Sequence, residues 1–203
     1  MTSRDLFPTR IQQLALPDAA LISDLEASCW MVEDGDQAGH AWCEEQGYPG
    51  YTSYASLEDL PTRAPAFADL VSILETQAAI YAGHLDWDLS AGRLELAGFW
   101  INILGEGMGH SGHIHPGSVI SGTAYVAMPE GAGSLRLEDP RLPMMMSAPP
   151  LMDSAETSRF VYLTPNAGDV LMWESWLRHE VMPSRSEDPR ISISFNFAYL
   201  PSP

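Results

Sequence analysis

Lysine is absent from this 203-residue chain, so all ten basic residues are arginine. Without an ε-amino group there is no Schiff-base chemistry, no phosphate-loop lysine and no lysine general base. Positive charge is scarce overall. Asp and Glu number 27, giving a formal net charge of −17. Residues 1–92 carry 15 acids against 3 Arg, and residues 93–203 carry 12 against 7, so the few cations gather in the second half. Such an acidic chain repels phosphate backbones and anionic lipid, which argues against nucleic-acid and membrane partners. Cysteine is nearly absent too. Cys29 and Cys43 form no CxxC pair, and two reduced thiols in a reducing, cytoplasmic setting are expected. No 18-residue apolar run occurs, and MTSRDLFPTRIQQ lacks the apolar core of a secretion signal.

What remains is ordinary globular material, 45% hydrophobic and 18% charged. The length suits a single domain over 1–203, with 1–92 as helical and irregular support and 93–203 as the β-rich core. Residues 10–16 read as a short leading strand. Asp18 can cap a helix running to about residue 31. Phe67, Leu70, Val71, Leu74, Ala78 and Tyr81 recur at three and four, which predicts a helix over 65–83 stopped near Gly83. Between them, 33–63 has no periodicity and reads as a long irregular surface segment, rich in aromatics and near a site.

The pattern changes after residue 92. Segments 93–104, 118–128, 134–139, 159–164, 169–173 and 190–200 are short, rich in β-branched and aromatic residues, and separated by Gly, Pro and Asn. In the last, Ile191, Ile193, Phe195 and Phe197 alternate with Ser192, Ser194, Asn196 and Ala198. One face is core; the other is polar and suited to a cavity. Six such strands predict a mainly β sandwich or barrel with N-terminal helices packed on it. Residues 142–157, Pro- and Met-rich, read as a loop.

Three of the six histidines fall in GHSGHIHPGS, 109–118. In an extended segment His113 and His115 point the same way, and Pro116 ends the strand. Two close imidazoles resist protonation, and neutral imidazole is a common transition-metal ligand. His110 is out of step with that face and receives no role. His179 follows an apolar strand and alone would be a surface histidine beside Glu180. Arg190, eleven residues later, changes its meaning. If the strands carrying them are neighbours, a buried guanidinium faces the metal, and it demands an anion such as a carboxylate. A metal with a deep arginine suits a diacid that also chelates.

The ordered series HxHPxS (His113–Ser118), SGxxYV (Ser121–Val126), LxxEDPR (Leu135–Arg141), PxxGDV (Pro165–Val170), WxxHxVxP (Trp176–Pro183) and RISISFN (Arg190–Asn196) resembles the small 2-oxoglutarate- and Fe(II)-dependent oxygenases of bacteria and phages. The resemblance spans roughly 95–200. It implies a double-stranded β-helix, or jelly roll, with Fe(II) as cofactor and 2-oxoglutarate as cosubstrate, and an activity coupling decarboxylation to hydroxylation of a small-molecule or peptide substrate. Carried over by position, His113 and His179 are metal ligands, Arg190 binds the distal carboxylate of 2-oxoglutarate with Ser192 beside it, and Tyr125 and Asn102 contact the cosubstrate. Where the wider superfamily has Asp or Glu, this chain has His115. Either His115 ligates, or two histidines and water suffice, or Glu138 or Asp139 supplies a carboxylate; His115 is the favoured reading. Trp173, Trp176, Met144–Met146, Tyr48, Tyr51 and Tyr54 are candidates to face the substrate. A three-His zinc hydrolase or lyase and a non-catalytic jelly-roll binding module are the alternatives. Arg190 speaks against the first, and the inward Ser, Tyr and Asn against the second. A homodimer is compatible with the sequence.

Overall fold

A computed structural model describes residues 2–141, 146, 149 and 158–202. The loop beginning at 142, with Met144 and Met145, lies outside the described residues apart from Met146 and Pro149. Among the described residues no helix is long and apolar enough to cross a membrane.

The chain opens with β1 (Ile11–Ala15) and α1 (Ala19–Gly35), the latter capped as expected by Asp18, whose carboxylate accepts from Ala20 N–H at 2.8 Å. The segment expected to be irregular is instead mostly structured. It holds the end of α1, then α2 (Gln37–Gln46), β2 (Tyr51–Thr52) and α3 (Leu60–Arg63). The helix α2 buries only Gly39 and Cys43, too few positions to print a periodic stripe. Its ends define it. Asp36 accepts from Gly39 N–H, and Gly47 closes the helix at φ 62°, a left-handed turn that glycine adopts without strain. Asp36 is buried and also accepts from Tyr51 and Ser56 hydroxyls, at 2.9 and 2.5 Å, so one carboxylate ties α2, β2 and the following turn together. The helix α4 (Pro65–His84) runs one residue past Gly83 and buries Phe67, Leu70, Leu74, Ala78 and Tyr81, with Val71 partly buried beside them.

The β region comprises β3 (Gly92–Leu104), β4 (His110–His113), β5 (Ile120–Ala127), β6 (Leu135–Glu138), β7 (Phe160–Leu163), β8 (Asp169–Glu174), β9 (His179–Val181) and β10 (Arg190–Pro201). Two antiparallel sheets face each other. The larger has the order β1-β8-β5-β10-β3-β2, the smaller β4-β9-β6-β7. This is a jelly roll with helices on one side, as expected. The six strands foreseen in the sequence are present. The extended segment expected to end at Pro116 is β4, four residues long, and the one unforeseen strand here, β9, is three residues long and contains HEV; neither carries apolar alternation.

Alternation along the central strands makes two interiors. Phe99, Ile101, Ile103, Ala124, Val170, Met172, Ile191, Ile193, Phe195 and Phe197 pack with the helices in the main core. On the opposite face, Tyr125, Leu135, Leu137, Leu171, Trp173 and Leu177 close a second, smaller core between the sheets. The free thiols of Cys29 and Cys43 are both buried, and burial pushes that of Cys29 up to about 12, which keeps it inert.

Candidate metal and cosubstrate site

Next to the small core, the space between the sheets is lined by polar side chains. Asn102 comes from β3, Thr123 from β5, and Arg190, Ser192 and Ser194 from β10, facing His113 and His179 of the small sheet. His113 and His179 are direct partners across the β4–β9 pair, so register alone brings them together. His115 arrives differently. The strand β4 ends at His113, before the expected stop at Pro116, and His115 sits in the following loop with its N–H bonded to Ser175 O at 3.1 Å. The three rings nevertheless converge, each offering one ligand atom within 4.8 Å of the others.

The condition that the His179 and Arg190 strands be neighbours is not met. The strand β9 lies in the small sheet, while β10 lies between β5 and β3 in the large one. Arg190 therefore reaches the histidine cavity from across the sandwich rather than from an adjacent strand. The two residues still line one cavity.

Burial keeps the histidines neutral. It lowers His179 to about 3 and His115 to about 4, aided in both by the neighbouring His113, and lowers His113 as well. His113 Nδ1 lies 2.7 Å from Ser111 O, and His179 Nδ1 2.8 Å from Leu177 O. Those carbonyls accept, so Nδ1 carries the proton and Nε2 keeps its lone pair for the cavity. His115 Nε2 and His179 Nε2 are 3.3 Å apart. Two nitrogens each about 2.1 Å from one ion at a tetrahedral or octahedral angle are about 3.0–3.4 Å apart, so this pair is spaced to share a single transition metal, with the His113 ligand atom within 4.8 Å of both. Glu138 is engaged by Arg159 and Arg178, and Asp139 by Arg141; neither lines the cavity.

Arg190 is 2% exposed and forms no ion pair among the described residues. Its Nη1 donates to Ser192 Oγ at 3.0 Å, its Cζ stands 5.2 Å from the Tyr125 ring centroid, and its Nε has no partner. The Tyr125 hydroxyl is buried and also unpartnered; burial pushes it up to about 12 against the pull of the Arg190 charge. A buried, unpaired guanidinium beside an unused hydroxyl is costly unless an anion completes it. The chemistry of the lining thus suits a carboxylate at Arg190 and a metal at the histidines.

Asn102 donates to Ser194 Oγ at 3.0 Å and accepts from Thr52 Oγ1 at 3.0 Å, so β2 holds it from behind. Tyr48 lines the cavity and donates to Asn102 Oδ1 at 3.3 Å. Two further residues were not foreseen. His110 stacks on His113 with centroids 4.3 Å apart, lies 3.4 Å from the Tyr48 hydroxyl, and is lowered to about 4, first by burial and then by its histidine neighbours. A bulge between His110 and His113 defeats the odd spacing that set His110 aside. Trp100 stands 5.9 Å from His115, with the exposed Tyr54 edge-on against it. Of the other aromatics, Trp173 is buried edge-on to His179, and Tyr51 is spent on Asp36. Trp176, half exposed, lines an outer groove with Trp87 beside His115.

Residues 98–196 match the model of the family described as "Putative 2OG-Fe(II) oxygenase". None of the curated proteins compared matches the chain. Among solved structures, it is similar to a Pseudomonas putida prolyl-4-hydroxylase at 16% identity and a TM-score of 0.62, covering 94% of this chain and 92% of that one. It is also similar to HygX from Streptomyces hygroscopicus, solved with nickel and 2-oxoglutarate bound (14% identity, TM-score 0.60, 94% and 83% covered). A third is a prolyl hydroxylase from Trichoplax adhaerens in complex with a hypoxia-inducible-factor peptide (12% identity, TM-score 0.63, 93% and 83% covered). These likenesses establish the jelly-roll fold, and over residues 98–196 the chain is similar to the 2OG-Fe(II) oxygenase family.

Proposed function

We propose that this chain hydroxylates a small-molecule or peptide substrate, with His113, His115 and His179 holding Fe(II) and Arg190 binding the distal carboxylate of 2-oxoglutarate. The observation that carries this reading is the buried, unpaired Arg190 in the same cavity as three neutral imidazoles. When bound, Fe(II) with 2-oxoglutarate and O₂ supplies the oxidising chemistry: one oxygen atom goes to succinate, formed with CO₂, and the other to a substrate C–H bond.

The protein's share is binding, orientation and exclusion of water. Arg190 and Ser192 fix the cosubstrate's far end, with the Tyr125 hydroxyl available to the same carboxylate. Asn102, braced by Thr52 and Ser194, and Tyr48 beside it form the wall along its length. The three imidazoles are neutral as a metal requires, and because none is a carboxylate they leave one more positive charge on the metal than two histidines and an acid would. Trp100 and the outer groove of Trp87 and Trp176 are the surfaces offered to substrate near His115. The net charge of −17 favours a neutral or cationic substrate over nucleic acid.

A three-His zinc hydrolase would need no buried cation beyond its metal, so Arg190 weighs against it. The test is 2-oxoglutarate turnover. With Fe(II) in air, wild type is expected to release succinate, slowly without substrate and faster when one is found. His179→Ala should abolish it. No succinate from iron-loaded wild type across a substrate panel, together with zinc-dependent hydrolysis, would overturn the reading.

A further inference from the structure

The three imidazoles of the site are not held alike. His113 and His179 each direct Nδ1 at a backbone carbonyl, at 2.7 and 2.8 Å. A carbonyl only accepts, so the tautomer of both rings is fixed with Nε2 free. His115 has no such carbonyl. Its Nδ1 lies 3.3 Å from the Asn196 side-chain amide, and its Nε2 lies 3.3 Å from His179 Nε2.

An amide can present either a donor or an acceptor to the same ring atom. With Nδ2 toward His115, Nδ1 accepts, the proton sits on His115 Nε2, and that N–H donates to the lone pair of His179. This pairing satisfies both rings but uses the two lone-pair positions a metal needs. With the amide turned by a half rotation, Oδ1 faces His115, Nδ1 carries the proton, and Nε2 is free. The residue behind the amide tolerates both states. Ser121 Oγ lies 2.7 Å from the Asn196 amide and 2.8 Å from Ser175 Oγ, and a hydroxyl has one proton and two lone pairs. In the first state Ser121 donates to Oδ1; in the second it accepts from Nδ2 and donates to Ser175. Ser121, Ser175 and Asn196 are all buried, so water does not compete for these bonds.

We propose that Asn196 is the positioning residue of His115, its amide turning from a metal-free orientation, in which His115 donates to His179, to a metal-bound one, in which Oδ1 accepts from His115 Nδ1–H. The inference rests on the reading of the three histidines as metal ligands. The ring stays neutral throughout: one proton leaves Nε2, one arrives at Nδ1 from water, and His115 releases none on balance. A carboxylate at position 115 would need no such partner, because it has no tautomer to set.

The experiment is long-range ¹H–¹⁵N NMR of the histidine rings in wild type, without metal and with zinc as a diamagnetic probe, alongside zinc and cobalt titrations of variants. His113 and His179 are expected as Nδ1–H tautomers in both states, and His115 as Nε2–H without metal and Nδ1–H with it. Asn196→Ala should weaken metal binding about 10–100-fold. Asn196→Asp, whose carboxylate only accepts, should bind at least as tightly as wild type. An unchanged His115 tautomer, or a folded Asn196→Ala protein that binds as well as wild type, overturns the proposal while leaving the metal site standing. If Asn196→Ala fails to fold, the wild-type spectra decide alone. Absence of zinc and cobalt binding in wild type, or undiminished binding by His113→Ala, defeats the metal-site reading itself and this inference with it.

Discussion

The two faces of the large sheet share strands and differ only in residue parity. On the helix side, Ile101, Ile103, Ile191, Ile193 and Phe195 are wrapped in hydrocarbon. One residue out of step on the same strands, Asn102, Arg190, Ser192 and Ser194 face the histidines. The first face gives up water for packing. The second keeps a buried cation without an anion and hydroxyls with few partners, and so stores a demand for a ligand. Stability and chemistry are thus separated by a single residue of register, and substitutions on the two faces should have opposite signatures.

The largest expected effect is on the apolar face. Phe195→Ala leaves a cavity in the main core beside Phe99 and Phe197 and should cost about 3–5 kcal/mol in denaturant unfolding, with metal affinity of the folded protein little changed. A matching loss of metal affinity would mean that the faces are not independent.

Arg190→Met probes the other face. It should weaken 2-oxoglutarate binding about 100-fold, or about 2.7 kcal/mol, in calorimetry. Without 2-oxoglutarate the same variant should melt at or above the wild-type temperature, because an unpaired buried charge has been replaced by hydrocarbon. A large drop in stability would instead give Arg190 a structural role.

A gentler perturbation is pH. His110 and His115 are lowered to about 4 and His179 to about 3, against 6.5 in an unfolded chain. As pH falls below 6.5 the unfolded state takes up protons first, so stability of the metal-free protein should decline from there, less steeply below about 4, and level off near 3 once the folded rings have titrated. His179→Phe should remove part of that slope. A slope as steep as that of wild type would show that the cluster is not its source. Smallest is Ser194→Ala, which deprives Asn102 Nδ2 of its acceptor and should cost about 0.5–1.5 kcal/mol, with a modest rise in the 2-oxoglutarate dissociation constant.

This parity was legible in the sequence. The strand 190–200 announces its two faces by alternation, and the longer strands and α4 follow the same grammar. What could not be read depends on short or distant pairings. The strands β4 and β9 are too brief to alternate, so the register that sets His113 opposite His179 was invisible. That β9 and β10 lie in different sheets is a fact of topology, which eleven residues of spacing cannot express. In 33–63, capping by Asp36 and Gly47 rather than a hydrophobic stripe makes α2, and Tyr48 then enters the cavity 54 residues before its partner Asn102. His110 was set aside by counting, which a bulge falsifies.

The most direct test of the central claim is an anaerobic titration with Fe(II) and 2-oxoglutarate, followed by visible absorbance in wild type and Arg190→Met. A weak charge-transfer band that requires both additions in wild type, and is lost at the same 2-oxoglutarate concentration in Arg190→Met while iron still binds, is the predicted result. A band indifferent to Arg190, or iron binding with no response to 2-oxoglutarate, would contradict the account.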